Sequence, residues 1–232
     1  MTYQSDLTEA VSMLSPPTPY YQDEAVTIYH GDCREILPNL APFDLLLTDP
    51  PYGINAEDFR ATLPDTKGKT FVRAIHGDDG LQSAEFIMRW IKHNQQAVIW
   101  GANNFPKLLP HKGRWLCWDK RLTEQADKML GSAFELAWEN RKTGFDAMLR
   151  VLHGGVVNAD GGKRFHPTQK PVALFRMVLG RYVDAETIID PFAGSGTTGV
   201  AAKLEGRKAT LIEIEESYCE IAANRLSQGV LF

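Results

Sequence analysis

Apolar residues in this chain gather in short runs that stop at turn residues. Such runs suit strands covered on both faces, as in a parallel sheet, because a strand with one wet face would alternate instead. They fall at Val26–Tyr29, Phe43–Thr48, Ala97–Trp100, Thr187–Asp190 and Lys208–Ile214. Between them, helical spacing of apolar positions predicts helices over Ala84–Asn94, Pro171–Tyr182, Thr197–Glu205 and Ser217–Leu226. Pro171 suits a first helical turn, where a missing N–H costs nothing. Alternating strands and helices predict an α/β domain on a mostly parallel sheet, with helices on both faces. Trp115–Trp118 and Phe134–Trp138 read as further strands, in irregular surroundings that allow an antiparallel edge.

Two stretches interrupt this pattern. Residues 1–24 contain Pro16, Pro17 and Pro19 and read as a tail or arm beside a domain over 25–232. Residues 54–80 are polar, rich in Gly, Asp and Lys, and follow a strand end. A loop of that length in a compact domain is usually functional or without fixed structure.

The chain has 232 residues, 44% of them hydrophobic, enough for one sizeable domain with a core that needs no disulfide staples. Cys33, Cys117 and Cys219 are far apart and show no CxxC spacing. That argues against a zinc site and a disulfide framework and suits a reducing cytoplasm. No metal is expected. No apolar run approaches the roughly 18 residues of a membrane span, and the N-terminus lacks the basic start and apolar block of a secretory signal. The formal net charge of −4 speaks at first against nucleic acid, yet residues 107–170 carry 12 Lys and Arg against 7 Asp and Glu. A basic middle on an acidic body could meet a phosphate backbone.

Two turns carry the chemistry. The strand Thr187–Asp190 runs into Pro191, Phe192, Ala193, Gly194, Ser195, Gly196, Thr197 and Thr198, and a helix follows. Gly194 and Gly196 let the backbone turn sharply and approach a ligand closely, in the strand–turn–helix setting such a motif requires. Glu213 ends the next strand, 23 residues after Asp190, where a carboxylate can accept hydrogen bonds from ribose hydroxyls. A P-loop lysine is missing. The run GSGTTG from Gly194 to Gly199 leaves an NAD-dependent oxidoreductase as an alternative.

The second turn is more specific. The strand over 43–48 ends in Asp49, Pro50, Pro51, Tyr52 and Gly53. The prolines hold the backbone out of helix and lower its reorganisation cost. An exocyclic base amino group is a poor nucleophile because its lone pair is delocalised into the ring. Asp49 can accept one of its N–H bonds and the Pro50 carbonyl the other, which favours a pyramidal nitrogen. Tyr52 offers a π-face for stacking, worth about 1–3 kcal/mol per base. Both turns follow carboxyl ends of parallel strands, the side on which open α/β sheets bind ligands.

DPPYG at 49–53, HPTQKP at 166–171 and DPFAGSGTTG at 190–199 together resemble the amino-group DNA methyltransferases of bacteria and phages, over roughly residues 26–228. The order, catalytic turn before cofactor turn, resembles the β subgroup. The resemblance implies a Rossmann-like fold, S-adenosyl-L-methionine as cofactor and double-stranded DNA as substrate, in a bacterial or phage-infected cell. A homodimer is left open. From GDCREIL at 31–37 it implies that Asp32, with Cys33 beside it, approaches the cofactor adenine. From HPTQKP it implies that Thr168, Gln169 and Lys170 hold the methionine end. From GRKATLIEIEESYCEIAANRL at 206–226 it implies Glu213 on the ribose, with Ile214 adjacent.

It further implies direct transfer to a base flipped out of the duplex. Carbon-5 cytosine chemistry would need a Pro-Cys nucleophile, and the cysteines here sit in DCR, LCW and YCE. In the family DPPY is more usual for adenine N6 and SPPY for cytosine N4, so adenine is expected, with cytosine N4 as the alternative. Reduced recognition loops are expected within 54–80 and 107–165. DNA contacts are expected from Lys67, Lys69 and Arg73 in the first, and from Lys112, Arg114, Lys120, Arg121, Arg141, Lys142, Lys163 and Arg164 in the second. Trp100, Asn103 and Phe105 follow a strand end near the base pocket, with core packing the stronger reading for Trp100.

Overall fold

The computed structural model describes residues 17–52, 81–91, 95–121, 132–141, 144–154, 157–158 and 169–228. The elements in chain order are β1 (Tyr21–Gln22), β2 (Val26–His30), α1 (Cys33–Ile36), β3 (Leu45–Thr48), α2 (Gln82–Trp90), β4 (Gln96–Trp100), β5 (Arg114–Asp119), β6 (Phe134–Glu139), β7 (Ala147–Arg150), β8 (His153–Gly154) and β9 (Val157–Asn158). Then come α3 (Val172–Leu179), β10 (Thr187–Asp190), α4 (Thr197–Leu204), β11 (Lys208–Glu213) and α5 (Glu216–Ser227).

One sheet holds β1-β2-β11-β10-β3-β4-β6-β5-β7 in that spatial order. β2, β11, β10, β3 and β4 are mutually parallel. All four residues of β3 are buried, as a strand covered on both faces requires. Successive residues alternate between two apolar layers. Leu45, Leu47, Val98, Trp100 and Ile188 join α3, α4 and α5 in one. Leu46, Ala97, Ile99 and Ile189 join α1 and α2 in the other. Helices on both faces follow directly from this alternation.

The predicted strands and helices all form, with ends displaced by a few residues. α3 begins one residue later than the pattern suggested, because Pro171 takes an extended ψ of 140° and stands as the N-cap. α2 ends at Trp90, since Ile91 has ψ 108°; residues 92–94 of its expected span lie outside the described residues. The short β1, antiparallel to β2, was hidden by its length. It is the antiparallel edge strand, lying in the segment expected to be an arm. β7, parallel to β5, was also missed: only Leu149 of its four residues is buried.

β6 is antiparallel as well, but inside the sheet, between β4 and β5. This reversal matters for the site. Trp100 at the end of β4 pairs with Ala137, so the start of β6 extends past the carboxyl end of β4. Phe134 in turn faces Asp119, the last residue of β5. The carboxyl ends of β3, β4, β5 and β10 and the amino end of β6 therefore meet along one edge.

Candidate active site

β3 and β10 are neighbours, with Leu45 opposite Ile188 and Leu46 opposite Ile189. Their turns thus leave the sheet side by side, although Asp49 and Asp190 are far apart in sequence. A buried hydroxyl–carboxylate link joins them: Thr48 Oγ1 donates to Asp190 Oδ1 at 2.7 Å, and Thr198 Oγ1 donates to Asp190 Oδ2. The Phe192 N–H also donates to Asp190 Oδ1, at 3.1 Å. Asp190 is thereby a brace between the two turns rather than a group open to a ligand.

Burial pushes the Asp190 carboxyl up to about 6, against the lowering effect of its hydrogen bonds. The folded carboxyl then holds its proton more tightly than an unfolded one, so this group's contribution to stability falls as pH rises from about 4 to about 6, by about 3 kcal/mol. The stability gap between wild type and Asp190→Asn should shrink across that window. A gap from urea midpoints that stays level between those pH values would refute the raised value.

The Gly-rich turn is held from several sides. Gly194 and Gly196 have φ of +50° and +78°. Arg225 on α5 donates to the Ser195 carbonyl at 2.5 Å and to its Oγ at 3.1 Å. Gln169 Oε1 accepts from Ser195 Oγ at 3.4 Å, and the Lys170 carbonyl accepts from Thr197 Oγ1 at 3.3 Å. Residues 169–170 therefore lie against the turn. Ala193 N donates to the Ile212 carbonyl at 3.0 Å, which ties the turn to β11.

At the end of β11, Glu213 Oε2 accepts from Gly194 N at 2.7 Å and Oε1 from Glu215 N at 2.9 Å. Each oxygen keeps lone-pair capacity for a ribose hydroxyl. Burial pushes this carboxyl upward. Gly31 N donates to the Glu213 carbonyl at 2.9 Å, bringing Asp32 and Cys33 to the same edge. Asp32 caps α1 through Arg34 N at 2.8 Å and is ion-paired with the Arg34 side chain. Cys33 is buried. Ile214 is partly exposed, and its carbonyl lies 3.1 Å from His30 Nε2.

The DPPY turn is equally constrained. Tyr52 packs against Gly101, whose φ is +69°; a methyl there would fall 2.7 and 2.8 Å from two Tyr52 ring carbons, and closer to a third. Asp49 Oδ2 is ion-paired with the Lys170 ammonium. Its Oδ1 is buried with no hydrogen-bond partner among the described residues. Burial pushes the Asp49 carboxyl up, Lys170 pulls it down, and Glu135 raises it. Lys170 also lies 5.6 Å from the Trp100 ring centroid.

Other expected residues are redistributed. Trp100 is fully buried, 6.2 Å from Trp118 in an edge-on pair and 6.3 Å from Phe175, so it is core. Phe105 is corrected from pocket wall to core, because it is buried in the second apolar layer. Asn103 is exposed. The basic middle does not form one face. Lys120 and Arg121 lie at the catalytic edge, just past β5. Lys112, Arg114 and Arg141 lie toward the opposite edge, where Arg114 pairs with Glu139 across β5 and β6. Arg141 rests 5.1 Å from the Tyr182 ring centroid. Thr168, Lys67, Lys69, Arg73, Lys142, Lys163 and Arg164, with Gly53, lie outside the described residues.

Burial pushes the thiols of Cys33 and Cys219 up to about 12, and that of Cys117 upward too. None is a ready thiolate nucleophile. Among the described residues no group of three or more His, Cys, Asp and Glu could hold a metal ion, and no helix is long and apolar enough to cross a membrane.

Sequence reasoning missed Thr48, Arg225 and Glu135. Thr48, a polar residue closing an apolar strand, carried a visible signal. Glu135 carried none, since it sits in an ordinary strand pattern.

A Rossmann-like sheet with a DPPY turn beside a Gly-rich turn fits a methyltransferase whose cofactor carries a nucleoside. Comparison with known proteins agrees. The DNA methylase family model N6_N4_Mtase matches residues 88–224, more than half of the chain. The chain belongs to that family and is an S-adenosyl-L-methionine-dependent DNA methyltransferase. It is similar to the type II methyltransferase M2.LlaDCHI of Lactococcus lactis subsp. cremoris, at 27% identity over 92% of this chain and 94% of the relative. It is also similar to M2.DpnII of Streptococcus pneumoniae, at 28% identity over 90% and 92%. Among solved structures, the fold matches the M1.HpyAVI–SAM complex with a TM-score of 0.51, 22% identity and coverage of 87% and 98%. It matches the cytosine-N4-specific PvuII DNA methyltransferase with a TM-score of 0.59, 16% identity and coverage of 93% and 91%.

Proposed function

We propose that this enzyme methylates adenine at N6 in double-stranded DNA, with Asp49, Pro50 and Tyr52 holding the flipped base. The buried Oδ1 of Asp49 at the end of β3, with no hydrogen-bond partner among the described residues, carries the reading of an amino-group acceptor, and the Asp that opens the DPPY turn favours adenine. An acceptor-only carboxylate oxygen there suits an N–H donor. The other carboxylate oxygen is engaged by Lys170, so the two oxygens have separate tasks. Asp49 Oδ1 takes one amino hydrogen and the Pro50 carbonyl the other. The lone pair then leaves conjugation with the ring. Pro51 keeps the turn rigid, and the Tyr52 ring, backed by Gly101, is a fixed stacking surface.

The residues around the Gly-rich turn fit the cofactor. Glu213 has acceptor capacity for the ribose, Asp32 and Cys33 flank it, and Gln169 and Lys170 border the turn on the other side. Phe192, Ala193, Gly194, Ser195, Gly196, Thr197 and Thr198 form the turn itself, and Ile214 continues from Glu213. When bound, S-adenosyl-L-methionine supplies an electrophilic methyl on a positively charged sulfur. For DNA, Arg121 follows β5 at the same edge of the sheet as Asp49.

Digestion of enzyme-treated duplex DNA to nucleosides, followed by mass analysis, tests the base. N6-methyladenine is the expected product. N4-methylcytosine as the sole product would overturn the choice of adenine.

A further inference from the structure

Asp49 is the first member of a chain of alternating charges that crosses from the catalytic turn to the antiparallel part of the sheet. Lys170 contacts Asp49 and lies 3.3 Å from Glu135 Oε2. Glu135 Oε1 is paired with Lys120, whose ammonium lies 5.0 Å from the Trp118 ring centroid. Only 7% of the Lys170 side chain is exposed, so an unbalanced ammonium there would be costly.

Glu135 reaches this point because β6 runs backwards. Its first residues, Phe134 to Leu136, extend past the paired end of β4, and Glu135 lands beside Lys170 and the turn that follows β3. A lysine ammonium is a point charge on a flexible four-carbon stem, and one carboxylate alone does not fix its direction. Two carboxylates do. Lys170 donates to both while its carbonyl is anchored by Thr197 on the Gly-rich turn.

We propose that Glu135 is a positioning residue for methyl transfer: by holding the Lys170 ammonium against Asp49 Oδ2, it leaves Oδ1 as the oxygen that receives the base amino hydrogen. The inference rests on the reading of Asp49 as that acceptor. A bare structural role, joining β6 to residues 169–170, would affect stability and, through the charge of Glu135, the acid limb, but would leave kcat on the pH plateau unchanged.

The charged groups facing Asp49 are Lys170, Glu135 and Lys120, and Asp49 in turn acts on Asp190 across the brace. Tyr52 faces Lys170. Glu135 itself is held down to about 2 by Lys170 and Lys120, despite its burial, so it is ionised throughout the working range. Removing its charge removes a group that raises Asp49, whereas removing Lys170 removes one that lowers it. The two changes must therefore shift the acid limb of activity in opposite directions.

The experiment is kcat against pH for the full chain, between about pH 5 and pH 9, with S-adenosyl-L-methionine affinity measured on the same preparations. Glu135→Gln should lower kcat roughly 10- to 100-fold through misplacement of the acceptor, with the cofactor still bound. Its acid limb should move down by about one pH unit, and that of Lys170→Met up by a similar amount. Glu135→Asp should recover part of the loss. Wild-type kcat and pH profile in Glu135→Gln, with Asp49→Ala inactive, would overturn the role of Glu135 alone. Activity in Asp49→Ala would instead overturn the reading of Asp49. Should Glu135→Gln lose cofactor binding, Lys120→Met is the second probe. It loosens Glu135 from the far side, so it should lower kcat and raise the acid limb, and wild-type values there would overturn the proposal.

Discussion

Asp49→Ala is expected to reduce methyl transfer by about 10³-fold, the scale on which a single group acting on developing charge in a buried site contributes. The loss should fall on kcat, because on the proposed reading the turn presents Asp49 to the base while the Gly-rich turn and Glu213 hold the cofactor. Two effects add in this variant. The amino group loses its acceptor, and the Lys170 ammonium is left with Glu135 as its one remaining carboxylate among its described ion pairs. Asp49→Asn keeps the shape and one carbonyl oxygen but offers an amide N–H toward another donor, so it should recover little. Single-turnover transfer from labelled cofactor to duplex DNA measures this directly. Transfer by Asp49→Ala within tenfold of wild type would remove the DPPY turn from the chemistry.

Gly196→Ala should be the most damaging small change at the cofactor turn. Gly196 has φ +78°, and a methyl there would lie 2.7 Å from Ala222 Cβ on α5. A left-handed conformation costs an alanine about 1–2 kcal/mol, and overpacking a fitted core costs typically 1–3 kcal/mol more. The sum, about 3 kcal/mol, lowers the melting temperature by about 10 °C for a chain of this length. It also separates α5 from the turn, loosening the Arg225 contacts that hold Ser195. Cofactor affinity should therefore fall with stability, as read by thermal melts with and without S-adenosyl-L-methionine. A melting temperature equal to wild type would show that the turn relaxes freely. By contrast, Gly206, with φ +67° and open space around its Cβ position, carries strain without a clash and should tolerate alanine better.

Much of the site could be read before any coordinates. The two turns announce themselves because each needs residue types few other structures require. Paired prolines and an aromatic follow an acid in one, and glycines follow a buried strand in the other. The parallel core was legible for a similar reason, since β3 and β10 are apolar on both faces and only a covered sheet uses such runs. Short edge pieces such as β1 and β7 were not legible. Their pairing partners, rather than their own composition, make them strands.

Charge was the least transparent part. The excess of lysine and arginine over 107–170 suggested one basic face, yet strand direction sends Arg114 and Lys120 to opposite ends of β5. Lys120 then pairs with Glu135 and serves the interior. Formal charge along a chain says nothing about which side chains end up within 4 Å of one another, and that proximity decides whether an ion is solvated or spent on a neighbour.

By itself, then, the sequence determined the sheet's parallel core, the places of the two motif-bearing turns and the class of chemistry, because these depend on local periodicity and on residues with special backbone or donor properties. Tertiary structure decided the rest. It brought Asp49 and Asp190 to the ends of neighbouring strands, braced their turns through Thr48, and set Lys170 between Asp49 and Glu135. The physical reason is that these contacts join residues many tens of positions apart, and the register of β3 on β10 and the reversed direction of β6 are settled only when the two apolar layers close around the sheet.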